Sequence, residues 1–351
     1  MKIALDVQGA DNGIATVVDG ARIAAAEGID VVLVGPHAEI GACGALPANV
    51  TVQDATEVVT NHDDPATAVR SRKDSSIVVA ARLVASGDAD ALVSAGPTGA
   101  ALAASLFNLK RIKGVKRPAI AVILPIGRGR RTLLLDAGAN VEVPAEMLVQ
   151  FAHLGAQFCI RVLGVAEPRV GLLSIGEEDG KGNDRVVEAG RLLADPQNSL
   201  HFNYLGNVEG RDITNGAADV IVTDGFTGNV ALKAVEGAAK ATMLTAADAI
   251  RSNAVSKIGG LLARRSLMRV REEVDPNTTG GALLLGLRGV SVVAHGSSNE
   301  QGIAAALRLA ARAAEGDVTG EIATAIAELQ AHAEEVDASA TAVTVAASDD
   351  A

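Results

Sequence analysis

Ten short apolar runs, each four to six residues long, punctuate this chain, and longer segments of helical period separate them. They are Lys2–Asp6, Asp30–Val34, Val50–Gln53, Ala89–Ser94, Ala119–Leu124, Thr132–Asp136, Arg169–Ser174, Phe202–Leu205, Asp219–Thr223 and Gly289–Ala294. Stretches such as Val31–Val34 and Leu133–Leu135 are unbroken Val and Leu, without the polar alternation of a half-exposed strand. Strands covered on both faces of a parallel sheet read this way. The intervening candidates for helix are Ile14–Glu27, Pro65–Ser86, Pro144–Ile160, Val230–Arg251 and Gln301–Ala314, and Asp64-Pro65 is an N-cap acid followed by proline at the first helical position. The alternation predicts an α/β fold, a doubly wound, mostly parallel sheet with helices on both faces.

Composition narrows the function classes. Aromatics are 2% of the 351 residues, so the core must be aliphatic, and a nucleic-acid reading based on aromatic stacking platforms is weakened. Two cysteines, Cys43 and Cys159, cannot form a disulfide framework and fit a reducing cytoplasm. Asp6 interrupts the first apolar run, so no export signal is expected there. Ala91–Leu109 is uncharged over nineteen residues, but Gly96-Pro97-Thr98-Gly99 inside it reads as strand, turn and helix rather than a membrane span. No internal repeat or linker divides the chain. One domain is expected over 1–336, with a tail lacking helical period, and so disordered, over 337–351.

The net charge of −11 is unevenly placed. Nine acidic residues and no Lys or Arg lie between Ala313 and Ala351, so the remainder carries only −2. Arg251–Arg271, by contrast, holds six basic residues and no acidic one. It is read as part of a helical hairpin, broken at Gly259-Gly260, with Ala254, Val255, Ile258, Leu261, Leu262 and Met268 on one side. A second basic cluster is Lys110, Arg111, Lys113, Lys116 and Arg117.

Glycine-rich polar clusters follow the strands. They contain Asp6; Ser94, Gly96 and Thr98; Asp136 and Asn140; Lys181 and Asn183; Asn207; Asp224, Gly228 and Asn229; and His295, Ser297 and Ser298. In an open parallel sheet such loops line one ligand crevice at the carboxyl ends of the strands. Glycines let backbone N–H groups approach an anion, and a following helix start adds a favourable dipole. Lys181 reads as a cation for phosphate or as a solvated loop lysine. Asp224 and Asn229, with Lys233 one turn on, read as ligand-binding groups or as a helix cap. His295 reads as a proton donor, a phosphate ligand or a satisfied strand-end residue. Gly176–Gly182 departs from P-loop spacing and lacks the following Ser or Thr, which excludes that nucleotide motif. There is no HExxH, CxxC or G-x-S-x-G. Donors and cations without a covalent nucleophile suit a reaction whose nucleophile is the substrate, as phosphate would be in attack on a thioester.

These clusters, in this order, resemble the bacterial phosphate acyltransferases of phospholipid synthesis. The resemblance runs from Lys2 to about Ala314 and rests on Ile3-Ala4-Leu5-Asp6, on Asp64-Pro65 with Arg70, Lys73 and Ser75-Ser76, and on Ser94-Ala95-Gly96. It continues through Leu135-Asp136 with Gly138-Ala139-Asn140, Lys181-Gly182-Asn183, Gly206-Asn207-Val208-Glu209, Thr223–Asn229 and His295–Ser298. It implies transfer of an acyl group from acyl carrier protein to inorganic phosphate, and a fold related to phosphate acetyltransferases and isocitrate dehydrogenase-like enzymes. It further implies a homodimer, no metal or organic cofactor, peripheral attachment to the membrane from the cytoplasm, and a membrane glycerol-3-phosphate acyltransferase as consumer of the product. Asn229, Lys181, His295 and Asp224 are the expected catalytic residues; the other cluster residues and Lys233 are expected to bind substrate. The rival readings are a phosphate acetyltransferase using coenzyme A and a weakly active membrane scaffold. The chain departs from the family pattern at Gln8-Gly9-Ala10-Asp11, where Met-Gly-Gly-Asp is usual, and at Pro97, where Asn is usual.

Overall fold

The computed structural model describes the chain except residues 128, 274, 276, 277, 350 and 351; the side chains of 271–273 and 335–349 are also outside the description. Its strands are β1 (Lys2–Asp6), β2 (Asp30–Gly35), β3 (Val50–Asp54), β4 (Ala91–Ser94), β5 (Ala119–Pro125) and β6 (Arg131–Leu135), followed by β7 (Arg169–Leu173), β8 (Asn203–Val208), β9 (Val220–Val222), β10 (Ala282–Leu285) and β11 (Val290–Val293). The helices are α1 (Gly13–Ala26), α2 (His37–Ala42), α3 (Pro65–Ser71), α4 (Ser76–Ser86), α5 (Thr98–Asn108) and α6 (Ala145–Phe158), then α7 (Asp184–Leu193), α8 (Gly225–Arg251), α9 (Ala254–Glu273), α10 (Glu300–Glu315) and α11 (Val318–Asp349).

All eleven strands form one sheet in the order β3-β2-β1-β4-β11-β10-β5-β6-β9-β7-β8. Side chains alternate between two aliphatic cores. Ile3, Leu5, Val31, Leu33, Leu133 and Leu135 share one core with residues of α1, α6 and α10, while Ala4, Val32, Val34 and Leu134 share the other with residues of α3, α4, α5 and α8. The doubly wound α/β expectation holds, and burial on both faces explains the unbroken apolar runs.

The sheet is mixed in a way the sequence did not disclose. β3, β2, β1, β4 and β11 run parallel; β10 is antiparallel to both β11 and β5, and β6 is antiparallel to β5. β6, β9, β7 and β8 are again mutually parallel. Three successive reversals therefore turn the second parallel half against the first. Strands β1, β4 and β11 end at one edge of the sheet, and β6, β7 and β9 at the other. The expectation of one rim for all seven clusters is overturned by this reversal.

Two helix boundaries also differ. Pro65–Ser86 is two helices, because Arg72 leaves the helical region to pair with Asp63 at 2.7 Å and to donate to the Val58 carbonyl, while Ser76 N donates to Glu57 O. Gly259-Gly260 does not break α9; Gly260 instead lets α9 cross α8 against Ile250, where a Cβ would overlap Ile250 Cγ2. The two form a projecting hairpin in which only Gly225, Gly228 and Leu232 of α8 are buried. α11 packs Val318, Ile322 and Ile326 into the core and is tied by Arg161 to Glu321 and by His201 to Glu328 at 2.6 Å. The boundary expected at 337 falls inside this helix. Among the described residues, no helix is long and apolar enough to cross a membrane.

Candidate active site

The first edge gathers Asp6, Ser94, Gly96, Thr98, His295, Ser297 and Ser298. Asp6 ends β1 beside Ser94 at the end of β4. Ser94 Oγ donates to Asp6 Oδ2 at 2.7 Å and accepts Gly96 N at 3.0 Å, while Gln8 N donates to Asp6 Oδ1 at 3.1 Å. Burial pushes the Asp6 carboxyl up to about 6, and hydrogen bonds from Ser76, Ser94 and Gln8 oppose that rise. Gly9, at φ +82°, allows the turn after β1 to lie against Gly96 and Pro97. Asn12 Nδ2 donates to the carbonyls of Ser297 and Ser298, both at 3.0 Å, and Ser297 Oγ lies 2.8 Å from His295 Nδ1. These bonds close the loops after β1, β4 and β11 on one another.

Pro97 is the N-cap of α5 and gives it no side-chain cap. Among the described residues, the N–H groups of Thr98 and Gly99 have no acceptor, and both residues are exposed. The α5 start is thus an open donor pair on a positive helix end. A small pocket beside it is lined by Asp6, Gln8, Val58, Val59, Ser76, Ile77, Ser94, Pro97 and Ala100. Gln8 Oε1 is buried there without a partner among the described residues. Sequence reasoning missed Gln8 as a pocket residue; its place two residues after Asp6 was the available signal.

The second edge gathers Asp136, Asn140, Asp224, Gly228, Asn229, Lys181, Asn183 and Asn207. Asp136 is fully buried, and its two oxygens accept Ile120 N, Gly138 N, Ala139 N, Asn140 N and Asn140 Nδ2 at 2.8 to 3.1 Å. Asn140 returns a bond to Pro118 O at 2.8 Å and accepts Gly225 N at 2.7 Å. Gly228 sits where a Cβ would overlap the Asp136 carbonyl oxygen, and Asn229 Nδ2 donates to Ala137 O at 3.1 Å. The Asp136 loop and the α8 start are therefore one rigid unit. Asp224 caps α8 by accepting Thr227 N at 2.7 Å, so the first-turn amides of α8 are occupied, unlike those of α5.

Asn183 caps α7, and Asn207 Nδ2 holds the carbonyls of Glu178 and Lys181 at 3.0 and 3.2 Å. Arg185 bonds Glu142 at 2.9 Å and links this loop to the one after Asn140. The Lys181 side chain is exposed and makes no ion pair among the described residues. Lys233 is exposed and paired with Glu236 at 2.8 Å on its own helix. His295 does not join this group. Three inter-strand steps, roughly 14 Å, separate β11 from β6, and the strands end at opposite edges. Neither cysteine reaches either edge group. Cys159 is buried, which pushes its thiol up, and Cys43 Sγ donates to Glu39 O at 3.4 Å.

Comparison with known proteins bears on the family and the fold. A family described as "Fatty acid synthesis protein" matches residues 1–321. The chain is 46% identical over 333 residues to "Phosphate acyltransferase" of Geotalea uraniireducens, covering 93% of this chain and 95% of that one. In fold it is similar to the EutD phosphotransacetylase of Staphylococcus aureus, with a TM-score of 0.57 at 17% identity over 90% of this chain and 94% of that one. It is also similar to 4-hydroxythreonine-4-phosphate dehydrogenase of Klebsiella pneumoniae, with a TM-score of 0.52 at 13% identity over 89% and 99%. With nearly its whole length matched at close to half identity, the chain belongs to the phosphate acyltransferase family.

Proposed function

We propose that this chain transfers an acyl group from the thioester of an acyl carrier protein to inorganic phosphate, an early step of phospholipid synthesis. The observation that carries the reading is the 46% identity, over 93% of the chain, to a phosphate acyltransferase. A phosphate oxygen attacks the thioester carbon, a C–O bond forms, and the C–S bond breaks with its electron pair leaving on sulfur. The thiolate then takes a proton from solvent. Such a reaction needs an anion site and donors for the carbonyl oxygen more than a protein nucleophile.

The open N–H pair of Thr98 and Gly99, with Ser94, Gly96, His295, Ser297 and Ser298 around it, is our assignment for phosphate. Asp6 positions Ser94. At the other edge we assign the acyl donor to Lys181 and Asn229, on the loops that Asp224, Gly228, Asp136, Asn140, Asn183 and Asn207 build; Lys233 borders them. One chain holds these groups apart, and a homodimer in which the α8 edge of one copy meets the α5 edge of the other brings them to one centre.

The hairpin of α8 and α9 supports two further assignments. Val230 and Leu244 are exposed along its stem and suit a partner copy. Val255, Ile258, Leu261 and Leu262 are 63 to 83% exposed near its tip, beside Lys257, Arg264 and Arg265, and suit shallow insertion into an anionic membrane surface. The side chain of Arg271 is outside the described residues. Attachment there would hand the labile acyl-phosphate to a membrane glycerol-3-phosphate acyltransferase.

Acyl-phosphate formation from acyl carrier protein thioester and phosphate tests the activity, with acetyl-coenzyme A as the competing donor. Loss of a placed donor costs about 10²–10³ in rate, so Lys181→Ala, Asn229→Ala and Ser94→Ala should each fall by that order while folded. Mixing Lys181→Ala chains with Ser94→Ala chains should restore activity if the centre is shared between copies. Normal turnover in Lys181→Ala and Asn229→Ala would remove them from the site, and no restoration on mixing would place both groups on separate duties.

A further inference from the structure

The pocket beside the α5 start is one donor short. Asp6 and Ser94 face it from the ends of β1 and β4, on the side of the sheet that α4 and α5 cover. As a carboxylate Asp6 only accepts, and it takes hydrogen bonds from the hydroxyls of Ser94 and Ser76 and from Gln8 N. Ser94 Oγ also accepts Gly96 N at 3.0 Å. With its one proton committed to Asp6, Ser94 has only a lone pair left for the pocket. Gln8 Oε1 is buried in the same pocket and finds no donor among the described residues. Asp6, Ser76 and Ser94 are 3% exposed or less, so bulk water is shut out of the network.

One proton reverses this count. Placed on Asp6 Oδ2, it is donated to Ser94 Oγ, which then accepts from both Asp6 and Gly96 N and must turn its own proton into the pocket. Ser94 thereby becomes a donor beside the open amides of Thr98 and Gly99, and a phosphate there gains a third hydrogen bond. Burial holds the Asp6 carboxyl at about 6, where a proton is within reach near neutral pH. Among the described residues no charged side chain bonds Asp6. Its neighbour on β2 is Val34, and α5 presents Pro97 and Ala100. Towards α4, Glu57 accepts Asp74 N and Arg72 pairs with Asp63; beyond β4, Asp11 lies against Gly296 and His295 against Ser297.

We propose that Asp6 is a positioning residue for phosphate: it takes up a proton as the anion binds and turns the Ser94 hydroxyl from acceptor to donor. The proton comes from solvent, and no covalent bond between heavy atoms changes. The inference rests on the assignment of phosphate to the α5 edge. Phosphate affinity falls as pH rises through the Asp6 value, because a shrinking fraction of chains carries the proton that the anion requires. Asn at this position has the shape of the carboxyl and donates its amide to Ser94 at every pH.

The test measures KM for phosphate from pH 6 to pH 7.5 in the unaltered chain, Asp6→Asn, Ser94→Ala and the double variant. The KM of the unaltered chain relative to Asp6→Asn should rise about fifteen-fold over this range, the titrations of phosphate and His295 cancelling between the two. At pH 7.5 Asp6→Asn should therefore bind phosphate more tightly than the unaltered chain, which a merely structural role for Asp6 does not give. The gain should vanish in the Ser94→Ala background. A flat ratio, or a gain that survives without Ser94 and so reflects charge repulsion alone, would overturn the proposal. Infrared difference spectra of the unaltered chain at pH 7.5, with and without phosphate, decide the matter if Asp6→Asn does not fold. A protonated-carboxyl band should appear with the anion, and its absence overturns the proposal. If the unaltered chain forms no acyl-phosphate, the function falls, while the infrared difference still shows whether the anion arrives with a proton; turnover with a flat ratio overturns the role of Asp6 alone.

Discussion

Replacing Asp6 by Asn should change how stability depends on pH. The Asp6 carboxyl is fully buried at the end of β1, and burial raises it from 3.8 to about 6. The folded chain therefore keeps a proton that the unfolded chain has already released over the interval between those values. Stability falls as pH rises through that interval, and above it the folded state carries a buried charge at a cost of about 3 kcal/mol. Asn cannot ionise, and its amide matches the carboxyl in shape. From pH 4 to pH 7.5 the stability of Asp6→Asn relative to the unaltered chain should rise by about 2 kcal/mol, that range covering most of the titration. Urea midpoints for both proteins across this range measure the change, and all other titrating groups cancel in the difference. Two parallel curves would refute the reasoning, because they would show that Asp6 ionises alike in the folded and unfolded chain.

Other outcomes follow from the same geometry. Gly228→Ala forces a Cβ into the Asp136 carbonyl oxygen and must displace α8 from its loop; thermal unfolding should show a loss of about 3 kcal/mol, and a loss below 1 kcal/mol would contradict the close approach. Cys43→Ser combined with Cys159→Ala should keep turnover within about two-fold, since neither thiol lies in an edge group; recovery of an acyl group on either cysteine in the unaltered chain would sink direct attack by phosphate. Leu261→Glu combined with Leu262→Glu should abolish co-sedimentation with anionic vesicles and leave activity in solution nearly intact. Unchanged sedimentation would move the membrane contact elsewhere, and loss of dimerisation would assign these leucines to packing.

Strands were the most legible part of the sequence because burial on both faces leaves nothing but aliphatic residues, as at Val31–Val34 and Leu133–Leu135. Ala282–Leu285 escaped notice. Four residues between glycines at 281 and 286 carry no period, and nothing local marks the strand as antiparallel. That omission also hid the separation of His295 from Lys181 and Asn229, since strand direction is a property of the whole sheet. Asp136 was legible as special but not in its role, because one of its donors, Ile120 N, is sixteen residues away. Arg72 shows the same limit: its helical surroundings read through to Ser86, and the turn stops through bonds to Asp63 and Val58 that lie earlier in the chain. The donor pair at Thr98 and Gly99 was half visible, since proline before a helix marks a start but not whether anything caps it.

Helix α5 gives the two edges a mechanical connection. Its eleven residues span about 16 Å, with the open amides of Thr98 at its head and the cationic loop directly beyond its foot. A buried bond between Ser105 and Ser291, 2.9 Å between hydroxyl oxygens, pins its last third to β11. Ala100, Ala101 and Ala104 are buried along the same helix, so an anion drawn to the open amides would bind a helix already held to the sheet over most of its length. Amide exchange at Ile112 and Val115, followed with and without phosphate, reads how far that hold carries from the head of the helix to the loop beyond its foot.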